Sequence, residues 1–206
     1  MQLQQPFGIV TTSTDGAVLE VLAGAETSFT SGQICRLTHY SLQGVRLALS
    51  RLVEQGIVLS RPAGRAYLYQ LNRQHLAAKY VEGIAHIFSE FLDSLRELLG
   101  SWEPRPEMAA LFGSASRGLM RLDSDIDIFL VRPAVVPDED SSWRNQVVEL
   151  EQRSSMWTGN DCRVFELSEA ELRQGLERAD QVLSDIARDG IWLFGERIRL
   201  VGTRSV

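Results

Sequence analysis

Two aspartates, Asp125 and Asp127, run straight into an apolar Ile-Phe-Leu-Val stretch within FGSASRGLMRLDSDIDIFLV, residues 112–131. Carboxylates are almost never buried without a positive partner. Two apart on a strand, both project from the same face. Held that close, they repel and raise each other's pKa unless a cation intervenes. A hard divalent ion with oxygen ligands, Mg²⁺ or Mn²⁺, meets that need and bridges naturally to a triphosphate. Upstream, Met108-Ala109-Ala110-Leu111-Phe112 suits a buried strand that ends in Gly113-Ser114. Gly113 permits close backbone approach, and the Ser114 hydroxyl with neighbouring amides supplies donors for phosphate oxygens.

The same residues exclude three other chemistries. A phosphate-binding P-loop needs Lys after its second glycine, and Leu119 follows Gly118. A nucleophile elbow needs serine where Ala115 stands. Asp123, Asp125 and Asp127 imitate the start of an EF-hand, but Ile128 replaces its turn glycine and Ala134 its final glutamate. The three scattered histidines argue against a His-based zinc site. Cys35 and Cys162 form no CxxC pair and read as free thiols of a reducing cytoplasm. No apolar run approaches the roughly 18 residues that span a bilayer. MQLQQPFGIV also lacks the basic start and apolar core of a signal peptide. A cytoplasmic protein without a membrane partner is expected.

Taken together, LFGSASRGLMRLDSDIDIFLV resembles the signature of the DNA polymerase β-like nucleotidyltransferase superfamily in its minimal bacterial form. The resemblance implies that Gly113 and Ser114 contact nucleotide phosphates, that Arg117 adds a phosphate contact, and that Asp125 and Asp127 ligate metal. The implied reaction is transfer of a nucleotidyl group from an NTP to a hydroxyl on a protein, RNA or small molecule. Two metal ions would flank the α-phosphorus. The family's usual third carboxylate lies on a later strand, here NDCRVFEL, residues 160–167. In the closest register Arg163 or a neighbour falls at that place. Asp161 precedes the strand and Glu166 sits near its end, and both stand as candidate third catalytic carboxylates. Alternation puts Cys162, Val164 and Glu166 on one face and Asp161, Arg163 and Phe165 on the other. The expected function is transfer of a nucleotidyl group by a DNA-binding protein, and an acid within metal reach of the aspartate pair favours it. Arg163 in that space favours the alternative, a transcriptional regulator with a catalytically degenerate, nucleotide-sensing domain.

Net charge divides unevenly between the elements that must position these groups. Residues 1–76 carry six Arg against four Asp/Glu, or +2, while residues 77–206 carry fifteen Lys/Arg against twenty-three Asp/Glu, or −8. The first half therefore suits a polyanion better. Thr14 or Asp15 can cap one helix, Thr30 or Ser31 a second, and Ser41 a third carrying Val45, Leu49, Leu52 and Val53. IVLSR and AYLYQL follow as a hairpin around Pro62-Ala63-Gly64. This segment resembles the winged helix-turn-helix of small bacterial transcriptional regulators. By that resemblance Ser41, Gln43, Gly44 and Arg46 face the major groove of double-stranded DNA. Arg61 and Arg65 on the wing reach phosphates or the minor groove. One such domain reads a half-site, so a homodimer is expected. Apolar residues from Asn72 to Leu99 recur as in one long amphipathic helix. The expected fold class is α/β (α+β), with a winged helix-turn-helix over residues 1–75 and a connecting helix over 76–102. A nucleotidyltransferase-like domain over 103–206 completes it, built on a small mixed sheet with helices on one face.

Overall fold

The computed structural model describes residues 1–198. The chain divides into two compact units, one of Gln5–Phe88 and one of Met1–Gln4 with Ser89–Val206. Arg199 and Leu200, which close the segment ARDGIWLFGERIRL expected in the second domain, lie outside the described residues.

In the Gln5–Phe88 unit, α1 (Thr14–Ala23) begins after Ser13, one residue before the expected caps. A two-residue strand, β1 (Phe29–Thr30), leads into α2 (Ser31–Thr38) through a capping box. Thr30 Oγ1 accepts from the Gln33 amide at 3.3 Å, and Gln33 Oε1 accepts from the Thr30 amide at 2.8 Å. Ser41 caps α3 (Leu42–Glu54), its hydroxyl accepting from the Gly44 amide at 3.1 Å. Val45, Ala48, Leu49 and Leu52 recur at helical spacing and are buried with Val18, Leu22 and Ile34. β2 (Val58–Ala63) and β3 (Ala66–Leu71) pair antiparallel, and β1 adds to them in the order β1-β3-β2. The turn is Gly64-Arg65, with Gly64 at φ +61°. Pro62 and Ala63, expected in the turn, instead end β2, where an edge strand tolerates proline. This is a winged helix-turn-helix fold.

The single long helix expected from Asn72 to Leu99 is two helices, α4 (Ala78–Ala85) and α5 (Ile87–Gly100). Residues 72–77 form tight turns. Asn72 Oδ1 accepts from the Gln74 amide at 3.2 Å, and His75 Nδ1 accepts from the Ala77 amide at 3.1 Å. Such side chains compete for the donors that a first helical turn would use. The apolar period runs on across His86 because each helix buries its own stripe. Val81 and Ala85 pack on the winged-helix core, whereas Phe91, Leu95, Leu98 and Leu99 are buried in α5.

The second unit contains β4 (Met108–Phe112), a single helical turn α6 (Gly113–Ser116), β5 (Ile126–Arg132) and α7 (Ser141–Thr158). β6 (Cys162–Ser168), α8 (Glu169–Glu177), α9 (Gln181–Asp189) and β7 (Ile191–Phe194) follow. The sheet order is β6-β5-β4-β7, with β5 and β6 parallel and the other pairs antiparallel. A parallel neighbour requires a crossover, and α7 supplies it. Helices cover both faces rather than the one expected. Ala110, Phe129 and Val131 pack against Leu172, Leu183 and Ile186 of α8 and α9, yet Ile126, Ile128 and Leu130 are also fully buried. α7 lies on that second face, where Trp143 reaches Glu166 of β6. The unbroken apolar run of β5 is what burial on both faces demands. Among the described residues, no helix is long and apolar enough to cross a membrane.

Candidate functional site

The Gly-Ser pair and the aspartates meet because β4 and β5 are neighbours, with Phe112 opposite Asp127. Gly113 follows at φ +73°, and a Cβ there would collide with the Asp127 carboxylate. Glycine is therefore required twice, for its backbone angle and for this close approach. The Ser114 hydroxyl has no hydrogen-bond partner among the described residues, whereas Ser116 Oγ donates to the Gly113 carbonyl at 3.2 Å. α6 spans four residues, too short to contribute much of a helix dipole.

The loop from Arg117 to Ser124 is braced from several directions. Gln4 Nε2 donates to the Ala115 carbonyl at 2.6 Å and Gln2 Nε2 to the Met120 carbonyl at 3.0 Å. Asn160 is buried and donates from Nδ2 to the Ser124 carbonyl at 2.8 Å and to the Leu122 carbonyl at 3.3 Å. The Asp161 carbonyl accepts from the Ile126 amide at 2.8 Å. Asn160 thus fixes the backbone just before Asp125. In the sequence a polar residue before a strand looks like an ordinary loop residue.

Asp125 and Asp127 are both half-buried. Burial foremost, then the neighbouring Asp125 charge, pushes the Asp127 carboxyl above its ordinary range, against the opposing pull of Arg163 and Arg117. The parallel register sets Arg163 beside Asp127, and its Nη2 lies 3.1 Å from Asp125 Oδ2. Arg163 remains 71% exposed, so this ion pair contributes only about 0–1 kcal/mol to stability. Arg117 is exposed and forms no ion pair among the described residues.

The two candidate third carboxylates separate clearly. Glu166 lies on the opposite face from the aspartates, where its Oε1 accepts from Arg132 Nε and from Trp143 Nε1, each at 2.9 Å. Arg132 is buried, donates to the Val136 carbonyl at 2.7 Å and also binds Asp138. Glu166 therefore offsets a buried guanidinium, and strand alternation keeps it from the aspartates. Asp161 precedes β6 on the Arg163 side of the alternation, with its side chain exposed. Among the described residues, no group of three His, Cys, Asp or Glu side chains is placed to hold a metal ion. The residues present fit one divalent ion on Asp125 and Asp127. Beside them on β6 stands the Arg163 guanidinium rather than a third carboxylate.

In the winged helix, Gln43 and Arg46 lie on the exposed arc of α3 with Leu42, Leu47 and Ser50. Arg61 on β2 and Arg65 in the turn are exposed as well. Gly44 is turned away from that arc. A Cβ there would lie 3.2 Å from Ser41 Oγ, a tight approach, and 3.6 Å from Thr14 Oγ1 of α1, an ordinary contact. The Ser41 hydroxyl is taken up by the cap.

No curated protein matches the chain significantly. Among solved structures it is similar to a toxin–antitoxin crystal structure with AMP-PNP, at 25% identity over 52% of this chain and 74% of that one, TM-score 0.36. It is also similar to the zinc-responsive MarR family member ZitR of Lactococcus lactis, at 30% identity over 45% of this chain and 63% of that one, TM-score 0.32. An archaeal chromatin protein, TrmBL2, shares 14% identity over 84% of this chain and 68% of that one, TM-score 0.28. TM-scores this low carry no argument. The Nucleotidyltransferase domain family model matches residues 89–195, just over half of the chain, and the chain belongs to that family.

Proposed function

We propose that the protein is a DNA-binding transcriptional regulator whose nucleotidyltransferase domain binds an NTP with one divalent ion and senses it rather than transferring it. The observation that supports this reading is the Arg163–Asp125 ion pair at 3.1 Å, which sets a guanidinium rather than a third carboxylate beside the aspartate pair. Asp125 and Asp127 would hold the ion, Mg²⁺ or Mn²⁺, which when bound neutralises the phosphate oxygens. Gly113 lets the triphosphate approach the backbone, the Ser114 hydroxyl and nearby amides donate to its oxygens, and Arg117 adds charge from the loop. On the winged helix, Gln43 and Arg46 would read base edges while Arg61 and Arg65 contact the DNA backbone. Two copies would occupy two half-sites.

Nucleotidyl transfer to an acceptor hydroxyl on a protein, RNA or small molecule is the second reading. It is favoured by family membership and by Asp161, the one candidate acid on the Arg163 side. Two titrations test the first reading on the full chain: calorimetry with a non-hydrolysable NTP and Mg²⁺, and selection of bound duplexes from a random DNA pool. Nucleotide binding that is lost in Asp125→Ala/Asp127→Ala, together with an enriched DNA sequence, is expected. A chain that binds no nucleotide contradicts the sensing role, and one that enriches no duplex contradicts the DNA role.

A further inference from the structure

The site presents two carboxylates and one guanidinium close together. Asp127 and Arg163 are paired across the parallel strands, and Asp125 lies on the same face as Asp127. Arg163 contacts Asp125 at 3.1 Å and its charge also acts on Asp127. It is held by little else: its side chain is 71% exposed, and Asp125 is its sole ion-pair partner among the described residues. A long, exposed cation attached by one contact can turn toward a second anion without disturbing a core.

We propose that Arg163 stands in for a second divalent ion, so that the site binds its nucleotide with one metal ion per chain and with the Arg163 guanidinium on the phosphates. The proposal rests on the nucleotide-binding reading above and specifies its chemistry. Three carboxylates with two divalent ions leave a net charge of one positive. Two carboxylates with one guanidinium and one divalent ion leave the same. The anionic triphosphate thus meets an equal charge in either arrangement, but only the first has oxygen ligands for two ions. A second ion in this chain would have to displace the guanidinium and still lack a ligand. Arg163 also brings what a metal ion does not, a planar fork that can hold two phosphate oxygens at once. Apo, the fork rests on Asp125; with nucleotide bound, the metal ion takes Asp125 and the fork moves to phosphate.

Metal stoichiometry tests this directly. Free Mn²⁺ is measured by electron paramagnetic resonance as the full chain is titrated in the presence of a saturating non-hydrolysable NTP. Wild type is expected to take up one Mn²⁺ per chain, and Arg163→Asp two. Arg163→Ala should keep one Mn²⁺ and bind nucleotide about tenfold more weakly, as expected for loss of a charged hydrogen bond. Arg163→Lys, which keeps the charge, should recover most of that loss. Arg163→Ala and Arg163→Lys should melt near wild type because Arg163 is exposed, whereas Arg163→Asp, which gathers three carboxylates, should melt lower in chelator and recover when Mn²⁺ is added. Two Mn²⁺ in wild type, one in Arg163→Asp, or undiminished nucleotide affinity in Arg163→Ala would each overturn the proposal while leaving the nucleotide reading intact. A wild type that binds neither Mn²⁺ nor nucleotide overturns that reading and the proposal together.

Discussion

Gly113→Ala should destabilise the chain more than alanine at Gly64 or Gly159, positive-φ glycines whose surroundings are open. Gly113 sits at φ +73° and Gly159 at φ +70°, so a side chain at either meets nearly the same backbone strain. That strain costs about 1–2 kcal/mol. The surroundings differ. A Cβ at Gly159 finds nothing within 4 Å, whereas one at Gly113 collides with Asp127 Oδ2 and lies 3.2 Å from its Cγ. The second collision forces either β4 away from β5 or the Asp127 carboxylate out of its place, and overpacking of this kind adds about 1–3 kcal/mol. Urea unfolding followed by circular dichroism should give Gly159→Ala a loss of about 1–2 kcal/mol and Gly113→Ala a loss of about 2–5 kcal/mol. The double variant Gly113→Ala/Asp127→Ala removes the colliding group, so it should cost less than the two single variants added together. Equal losses at Gly113 and Gly159, or strict additivity with Asp127→Ala, would refute the close approach on which the phosphate seat depends.

Asp127→Asn should stabilise the chain at neutral pH in chelator while abolishing Mn²⁺ uptake. An acid held above its unfolded pKa makes the folded state lose stability as pH rises from the unfolded value through the folded one, so the gain should vanish below about pH 3.9. Equal stability of the two proteins at pH 7 would contradict this. Burial pushes the Cys162 thiol up to about 12, so at pH 8 it should resist alkylation until urea exposes it; rapid native labelling, located by peptide mapping, would count against its place in β6. Arg61→Ala should weaken binding to every duplex alike and reduce the salt slope by about 0.9, whereas Arg46→Ala should lose about 1–3 kcal/mol of discrimination at one base pair. A uniform effect from Arg46→Ala would remove it from the base-reading face.

Much of this architecture is legible in the residues, and what is not has identifiable physical causes. Gly113-Ser114 and Asp125/Asp127 mark one end of two neighbouring strands, and their meeting follows from their types and spacing. The third position does not, because the register of β6 against β5 is a tertiary fact. Shifting it by one residue would exchange Arg163 for Cys162 or Val164. Alternation alone already separates Glu166 from Arg163, but which face looks at Asp125 depends on where α7 packs. The break at His86 is hidden because apolar residues continue at helical spacing through it, although they serve two cores. β1 escapes notice for a simpler reason: two residues are too few to show a period. The surroundings of Gly44 are equally a tertiary matter: a Cβ there would meet Ser41 of its own cap and Thr14 of α1.

Incubation of the full chain with an NTP labelled at the α-phosphate, in Mg²⁺ or Mn²⁺ and with cell lysate as a source of acceptors, tests the central claim most directly. The account predicts label retained by the native protein, released entirely on denaturation, and absent from Asp125→Ala/Asp127→Ala. Label that stays covalently attached to the chain or to a lysate component, and that depends on Asp125 and Asp127, would contradict it and make the protein an active transferase.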